Sequence, residues 1–146
     1  MIEFITKNNF DDVLPLIRAY QEFYRAAEIS EEKNKNHFGR FLTDHSRGFL
    51  FLLKEEGVSI GFVTVYFSYS SARAEEIGIL NDLYVVPEYR NLGYGKKLIY
   101  RAMEEVKNRG IYRIQWLTEK TNVTAQKLYD KMNAGKSEWI LYSREI

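Results

Sequence analysis

Arg90, Gly93 and Gly95 form an Arg-x-x-Gly-x-Gly pattern, with Lys96 and Lys97 directly behind it. The full stretch reads Val85-Val86-Pro87-Glu88-Tyr89-Arg90-Asn91-Leu92-Gly93-Tyr94-Gly95-Lys96-Lys97. An apolar run stops at proline, a short loop follows, and a helical pattern opens at the glycines. A helix N-terminus presents unpaired N–H groups and the positive end of its dipole, which suits phosphate. Glycines let the backbone approach a ligand with no Cβ in the way. The basic side chains add positive charge, so the stretch is a candidate pyrophosphate cradle. A Walker A loop is excluded because Lys97 stands where Ser or Thr is needed. A dinucleotide fingerprint is excluded because Leu98 takes the third small position. The competing structural reading is a glycine-rich turn that only caps a helix.

A second constellation lies downstream. Asn122, Ala125 and Tyr129 recur at offsets of three and four, on one helical face. Asn122 suits an N-cap, and Tyr129 is either a hydroxyl available for proton transfer or an amphipathic core tyrosine.

These residues need elements to position them. Ile2 to Thr6 reads as a short strand. Asp11 or Asp12 caps a helix with Pro15 in its first turn, and Val13, Leu16, Ile17, Tyr20, Phe23, Tyr24 and Ala27 repeat at helical spacing. Ser30 opens a second helix that runs through Phe38, Phe41 and Leu42 to about His45. Phe49 to Leu53 and Ile60 to Tyr69 form a hairpin about Glu55-Glu56-Gly57. Ile77 to Val86 is a strand stopped by Pro87. Gly93 to Arg109 is a helix ended by Gly110. Tyr112 to Leu117 is a strand, Asn122 to Met132 a helix, and Trp139 to Ser143 a last strand. The order β-α-α-β-β-β-α-β-α-β predicts one mixed α/β (α+β) domain spanning 1–146.

With those motifs in place, the chain resembles the GNAT acetyltransferase superfamily. Asp82-Leu83-Tyr84-Val85-Val86-Pro87, Arg90-x-x-Gly93-x-Gly95 and Asn122-x-x-Ala125-x-x-Leu128-Tyr129 carry the likeness, from about Ile77 to Ala134. Leu80-Asn81-Asp82-Leu83-Tyr84-Val85 and Lys136-Ser137-x-Trp139 look most like small bacterial members similar to diamine, polyamine and histone-acetyltransferase-like N-acetyltransferases. The resemblance implies a central mixed, mostly antiparallel sheet of about six to seven strands flanked by four helices. It implies acetyl-CoA as cosubstrate. Backbone groups of Leu83, Tyr84 and Val85 would pair with its pantetheine arm. Arg90, Asn91, Leu92, Gly93, Tyr94, Gly95 and Lys96 would hold the pyrophosphate. Asn122 would lie near the pantetheine and Tyr129 near the sulfur. The acceptor would enter between the two N-terminal helices and the strand Ile77 to Val86.

Amide formation from a protonated alkylamine needs a base, because such an amine has a pKa near 10. It then needs oxyanion stabilisation and a proton for the departing thiolate, for which Tyr129 is the expected acid. Many members of the superfamily carry glutamate nine residues before the loop arginine. Asn81 stands there, and an amide is no base. Glu76, acting through water, is the expected substitute, with Glu75 and Asp82 as neighbours; a solvated turn is the competing reading of Glu75 and Glu76. His37 and His45 read as surface or packing residues.

Bulk properties narrow the partners. The net charge is +1, without the basic excess of a nucleic-acid binder. There is no cysteine, hence no disulfide, thiolate metal site or thiol nucleophile. Two histidines eight residues apart make no metal centre, so no metal is expected. The chain has no secretory signal and no apolar run long enough for a membrane. A cytoplasmic enzyme with a small-molecule or peptide amine substrate is expected, and a homodimer is compatible with the resemblance. Glu22, Glu28, Glu31, Glu32, Glu75, Glu76 and Asp82 on the acceptor side favour a cationic primary amine. The alternatives are an acyl-CoA-binding sensor without turnover and a peptide or protein amine acetyltransferase.

Overall fold

The computed structural model describes residues 1–146. They divide into two compact units, Met1–Trp116 and Leu117–Ile146. The first unit holds a five-stranded sheet in the order β1-β2-β3-β4-β5. Its strands are β1 (Ile2–Phe4), β2 (Gly48–Glu55), β3 (Val58–Ser70), β4 (Glu75–Val85) and β5 (Ile114–Gln115). The first four pair antiparallel, and β5 joins β4 in parallel. Three helices belong to this unit: α1 (Phe10–Phe23), α2 (Glu31–Phe38) and α3 (Tyr94–Asn108). The second unit holds α4 (Val123–Lys131).

The sheet is covered on both faces, which is why β2 reads as an unbroken apolar run. Leu50, Leu52, Phe62 and Tyr84 pack with Val13, Leu16 and Ile17 of α1 and with Phe38 and Phe41. On the opposite face, the α3 residues Leu98, Ile99, Ala102 and Val106 are buried. Arg101 of α3 lies over the Phe51 ring at 4.5 Å. A Cβ added at Gly78 would come within 3.2 Å of Val106, so glycine there lets α3 sit close on β4.

Several elements depart from the sequence expectation. The sheet has five strands, not six to seven, and the order ends on a helix. Trp139 to Ser143 carries no regular structure, and Trp139 is 94% exposed. Aromatic and β-branched residues favour a strand only when a neighbouring strand completes the ladder. β5 is confined to Ile114–Gln115, the two residues that pair with Gly78 and Ile79; Tyr112 and Leu117 are exposed. The helix α1 is preceded by Asn9, not capped by Asp11 or Asp12. Asn9 instead ties down β1: its Oδ1 accepts from Thr6 N at 2.6 Å, and its Nδ2 donates to Glu3 Oε1 and Phe4 O. Pro15 therefore falls in the second turn. Ser30 does cap α2, accepting from Lys33 N at 3.2 Å, but the α-helix ends at Phe38 and Gly39–Leu42 tightens into a 3-10 turn.

Candidate active site

The site is built on β4 and the segment that leaves it. β4 has two pairing edges. β3 covers one along its whole length, whereas β5 covers the other only at Gly78 and Ile79. From Leu80 to Val85 the outer backbone edge has no strand beside it. An unpaired edge offers N–H and C=O groups to an extended ligand, as in strand addition.

The edge runs directly into the loop. Pro87–Tyr89 forms a 3-10 turn, Asn91 and Gly93 adopt left-handed conformations with φ of 63° and 86°, and α3 starts at Tyr94. An added Cβ at Gly93 would meet nothing within 4 Å, so its φ and not crowding calls for glycine. The first helical hydrogen bond runs from Lys97 N to Gly93 O at 3.1 Å. The N–H groups of Tyr94, Gly95 and Lys96 precede it and have no helical acceptor. No side chain caps this end, and no acidic residue sits in its first turn. Lys96 and Lys97 are exposed beside it. Unpaired N–H groups, the positive end of the helix dipole and two exposed lysines give this end positive character.

Arg90 is tied into the fold by several contacts. Its backbone N–H donates to Pro87 O at 3.2 Å. Its Nε donates to Val85 O at 2.8 Å, and its guanidinium lies over the rings of Phe23 and Tyr84 at 5.3 and 5.5 Å. Arg90 thus clamps the loop to the end of β4 and to the end of α1. The Tyr84 side chain belongs to the core beneath α1, so only its backbone can face a ligand.

The register of β3 against β4 slips at one place. Thr64 opposes Asp82, but Val65 opposes Leu80, which leaves Asn81 as a bulge. Asn81 is exposed, while Asp82 is buried on the face covered by α1 and α2. Tyr20 of α1 and Thr64 and Tyr66 of β3 lie on that face. Burial pushes the Asp82 carboxyl above its ordinary value; the Tyr20 and Thr64 hydroxyls, the Asn81 amide and the charge of His37 pull the other way. Burial, the neighbouring Asp82 charge and, for Tyr20, contact with that carboxylate push both tyrosine hydroxyls up, Tyr66 to about 12. His37 Nε2 meets the Tyr66 hydroxyl at 2.7 Å. Burial and then Arg40 lower its pKa. His45 turns away, with Nε2 at 2.8 Å from Phe41 O and its ring stacked on Phe4.

Glu76, the base expected from the sequence, is exposed near the start of β4, opposite Tyr69. Asn81 lies five residue steps further along the strand, about 17 Å at 3.3 Å per residue. The other acids of the acceptor side are largely paired. Glu22 meets Arg18 at 3.1 Å, Glu28 meets Lys33 at 3.6 Å, Glu31 meets Lys35 at 2.8 Å and Glu75 meets Arg113 at 3.1 Å.

In the second unit, Asn122 Oδ1 accepts from Ala125 N at 3.2 Å and caps α4. Asn122, Ala125 and Tyr129 are all half-buried on one face of that helix. No group of three or more His, Cys, Asp or Glu side chains is placed to hold a metal ion. No helix is long and apolar enough to cross a membrane.

Comparison with known proteins identifies the family and the fold. The acetyltransferase (GNAT) family model matches residues 13–134. YhfO, an uncharacterised N-acetyltransferase of Bacillus subtilis (strain 168), is 33% identical over 119 residues, 82% of this chain and 78% of its own length. The D-amino-acid N-acetyltransferase HPA3 of Saccharomyces cerevisiae is 33% identical over 131 residues, 88% of this chain and 80% of its own. Among solved structures, AAC(6')-Iy in complex with the bisubstrate analog CoA-S-monomethyl-acetylneamine shares the fold. Its TM-score is 0.87 over 100% of this chain and 97% of that one, at 18% identity.

Proposed function

Because this chain belongs to the GNAT family of acetyltransferases, we propose that it moves the acetyl group of acetyl-CoA to a cationic primary amine, by direct attack within a ternary complex. The observation that carries the reading is the continuity of two features. The edge of β4 from Leu80 to Val85, which no strand covers, leads straight into the uncapped N-terminus of α3. An extended amide-bearing arm attached to a diphosphate matches that order of edge, then anion site. The edge would hold the pantetheine of acetyl-CoA, and the loop from Asn91 to Lys96 its pyrophosphate.

Each step then has a physical requirement. The amine arrives charged and gives up a proton before its lone pair can attack the thioester carbonyl. The tetrahedral oxyanion is stabilised by N–H donors, for which the unpaired β4 edge is the nearest source. Collapse breaks the C–S bond, and Tyr129 would protonate the thiolate. The family motif from Asn122 to Tyr129 supports that role.

The preference for a cation rests on the carboxylates of the acceptor side. Ion pairs dilute it, which leaves Asp82, Glu32 and Glu76 as its chief carriers. The acceptor of HPA3 is a D-amino acid by name, so that class belongs in the test. Spermidine, a lysine peptide, a D-amino acid and a neutral amine are compared with acetyl-CoA, and CoA thiol release is followed at two salt concentrations. Spermidine or the lysine peptide should be preferred, with a KM that rises with salt. Preference for the neutral amine or the D-amino acid, or a salt-independent KM for the cations, would move the acceptor to another class.

A further inference from the structure

Asp82 is 5% exposed and Thr64, directly opposite on β3, is wholly buried. Asn81 Nδ2 donates to Asp82 Oδ1 at 3.0 Å. Asp82 Oδ2 and Thr64 Oγ1 close no hydrogen bond of ordinary geometry, although the Tyr20 and Thr64 hydroxyls lie close enough to ease the charge. A carboxylate kept for structure is normally saturated by N–H donors or paired with a cation. Asp82 has one side-chain amide, two neighbouring hydroxyls and a histidine within electrostatic reach, but no cation paired with it. Its Oδ2 closes no hydrogen bond of ordinary geometry, on the face where the acceptor amine is expected.

The surroundings are suited to moving a proton. Tyr20 acts on Asp82 from α1, His37 from α2 and Tyr66 from β3; Tyr24, just past α1, stands beside Tyr20, and Arg40, in the turn after α2, acts on His37 and Tyr66. Both Tyr20 and Tyr66 keep their protons at neutral pH. The Tyr66 hydroxyl, near Asp82, meets His37 Nε2 at 2.7 Å, and His37 is exposed. A path therefore leads from a buried carboxylate to a neutral imidazole at the surface.

We propose that Asp82 takes the proton of the incoming ammonium through one water held between Oδ2 and Thr64 Oγ1, with Asn81 as the residue that positions it and Tyr66 and His37 as the exit. The water gives a proton to Asp82 and receives one from the ammonium, which leaves a neutral amine. The amine nitrogen bonds to the thioester carbon, the C–S bond breaks, and the nitrogen's second proton offsets the one taken up by the thiolate. Asp82 returns its proton by way of Tyr66 and His37 to solvent. The net change is ammonium plus acetyl-CoA to amide, CoA thiol and one proton. This explains how Asn81 is compatible with turnover. The carboxylate has moved one residue on and to the buried face, and a glutamate at 81 would set a second negative charge beside it. The assignment rests on the functional reading above.

The test is Asp82→Asn, which keeps the shape and removes the charge. With a cationic amine, kcat should fall about 100-fold or more, while the KM for acetyl-CoA stays within about twofold. The wild-type kcat/KM should level off below the pKa of the amine. The variant's should keep climbing tenfold per pH unit from about pH 6 to 9, because only free amine reacts without the base. A raised carboxyl pKa destabilises the folded state as pH rises past the unfolded value, so the variant's Tm at pH 8 should equal or exceed the wild type's. A structural carboxylate would give the reverse, a lower Tm with a nearly normal pH profile, and that result overturns the assignment. Should Asp82→Asn fail to fold, the exposed Asn81→Ala decides. Loss of its donated hydrogen bond should move the acid limb of kcat/KM to higher pH with little change in Tm, and an unmoved limb overturns the assignment. A wild type that releases no CoA thiol with any amine overturns the functional reading itself.

Discussion

His37 Nε2 and the Tyr66 hydroxyl meet at 2.7 Å and join α2 to the third strand of the sheet. The contact lies beside buried Asp82, and burial holds the histidine below its ordinary pKa of 6.5. A depressed folded-state value means that stability is full above about pH 6.5 and is lost as pH falls through the lowered value. His37→Gln should leave the Tm unchanged at pH 7.5 and raise it relative to wild type below about pH 6. Thermal melts across that range check this, and parallel curves for the two proteins would contradict it.

Gly95 tests the anion site. A carboxylate at the second residue of α3 would face the phosphate and oppose it. Gly95→Asp should weaken CoA binding at least tenfold, about 1.4 kcal/mol, with the fold retained. Calorimetry that finds unchanged affinity would show that the loop is only a helix cap.

Tyr129 is tested by removal of one oxygen. Tyr129→Phe should lower kcat roughly 10- to 1000-fold, at or below the usual range for a general acid because a thiolate leaves fairly well. The KM for acetyl-CoA should move little. Full kcat in the variant would make Tyr129 a packing residue.

Asn122 caps α4 through its side-chain oxygen, so Asn122→Ala should cost about 1 kcal/mol. Hydrogen exchange should show the loss as faster exchange in the amides of Val123–Lys131. Unchanged protection there would mean that the helix does not depend on its cap.

What the sequence made legible was marked by local punctuation. Pro87, the left-handed Gly93 and the apolar stripe of α3 are short-range signals, and the loop lies where they place it. Ser30 and Asn122 are caps that the structure bears out. The departures come from relations between distant residues. Trp139 to Ser143 has the composition of a strand, yet composition supplies no partner edge. The bulge at Asn81 arises from the register with Thr64 and Val65. Alternation alone would set Asp82 away from Asn81, but the bulge lets the Asn81 amide reach the Asp82 carboxylate at 3.0 Å, and only the packing of α1 and α2 makes Asp82 buried. The gap beside β4 depends on β5 ending at Gln115. The charge pattern of Glu22, Glu28, Glu31 and Glu75 was plain in the sequence, whereas their ion pairs with Arg18, Lys33, Lys35 and Arg113 were not.

The most direct measurement follows one reaction from both ends. The protein is mixed with acetyl-CoA and spermidine or a lysine peptide, CoA thiol is titrated over time, and the amine is weighed by mass spectrometry. Thiol release that requires the amine, matched one for one by acetylated amine and with no acetylated protein, is the result expected. CoA binding by calorimetry with no amine-dependent thiol release from any acceptor class would contradict it and leave a binding module in place of an enzyme.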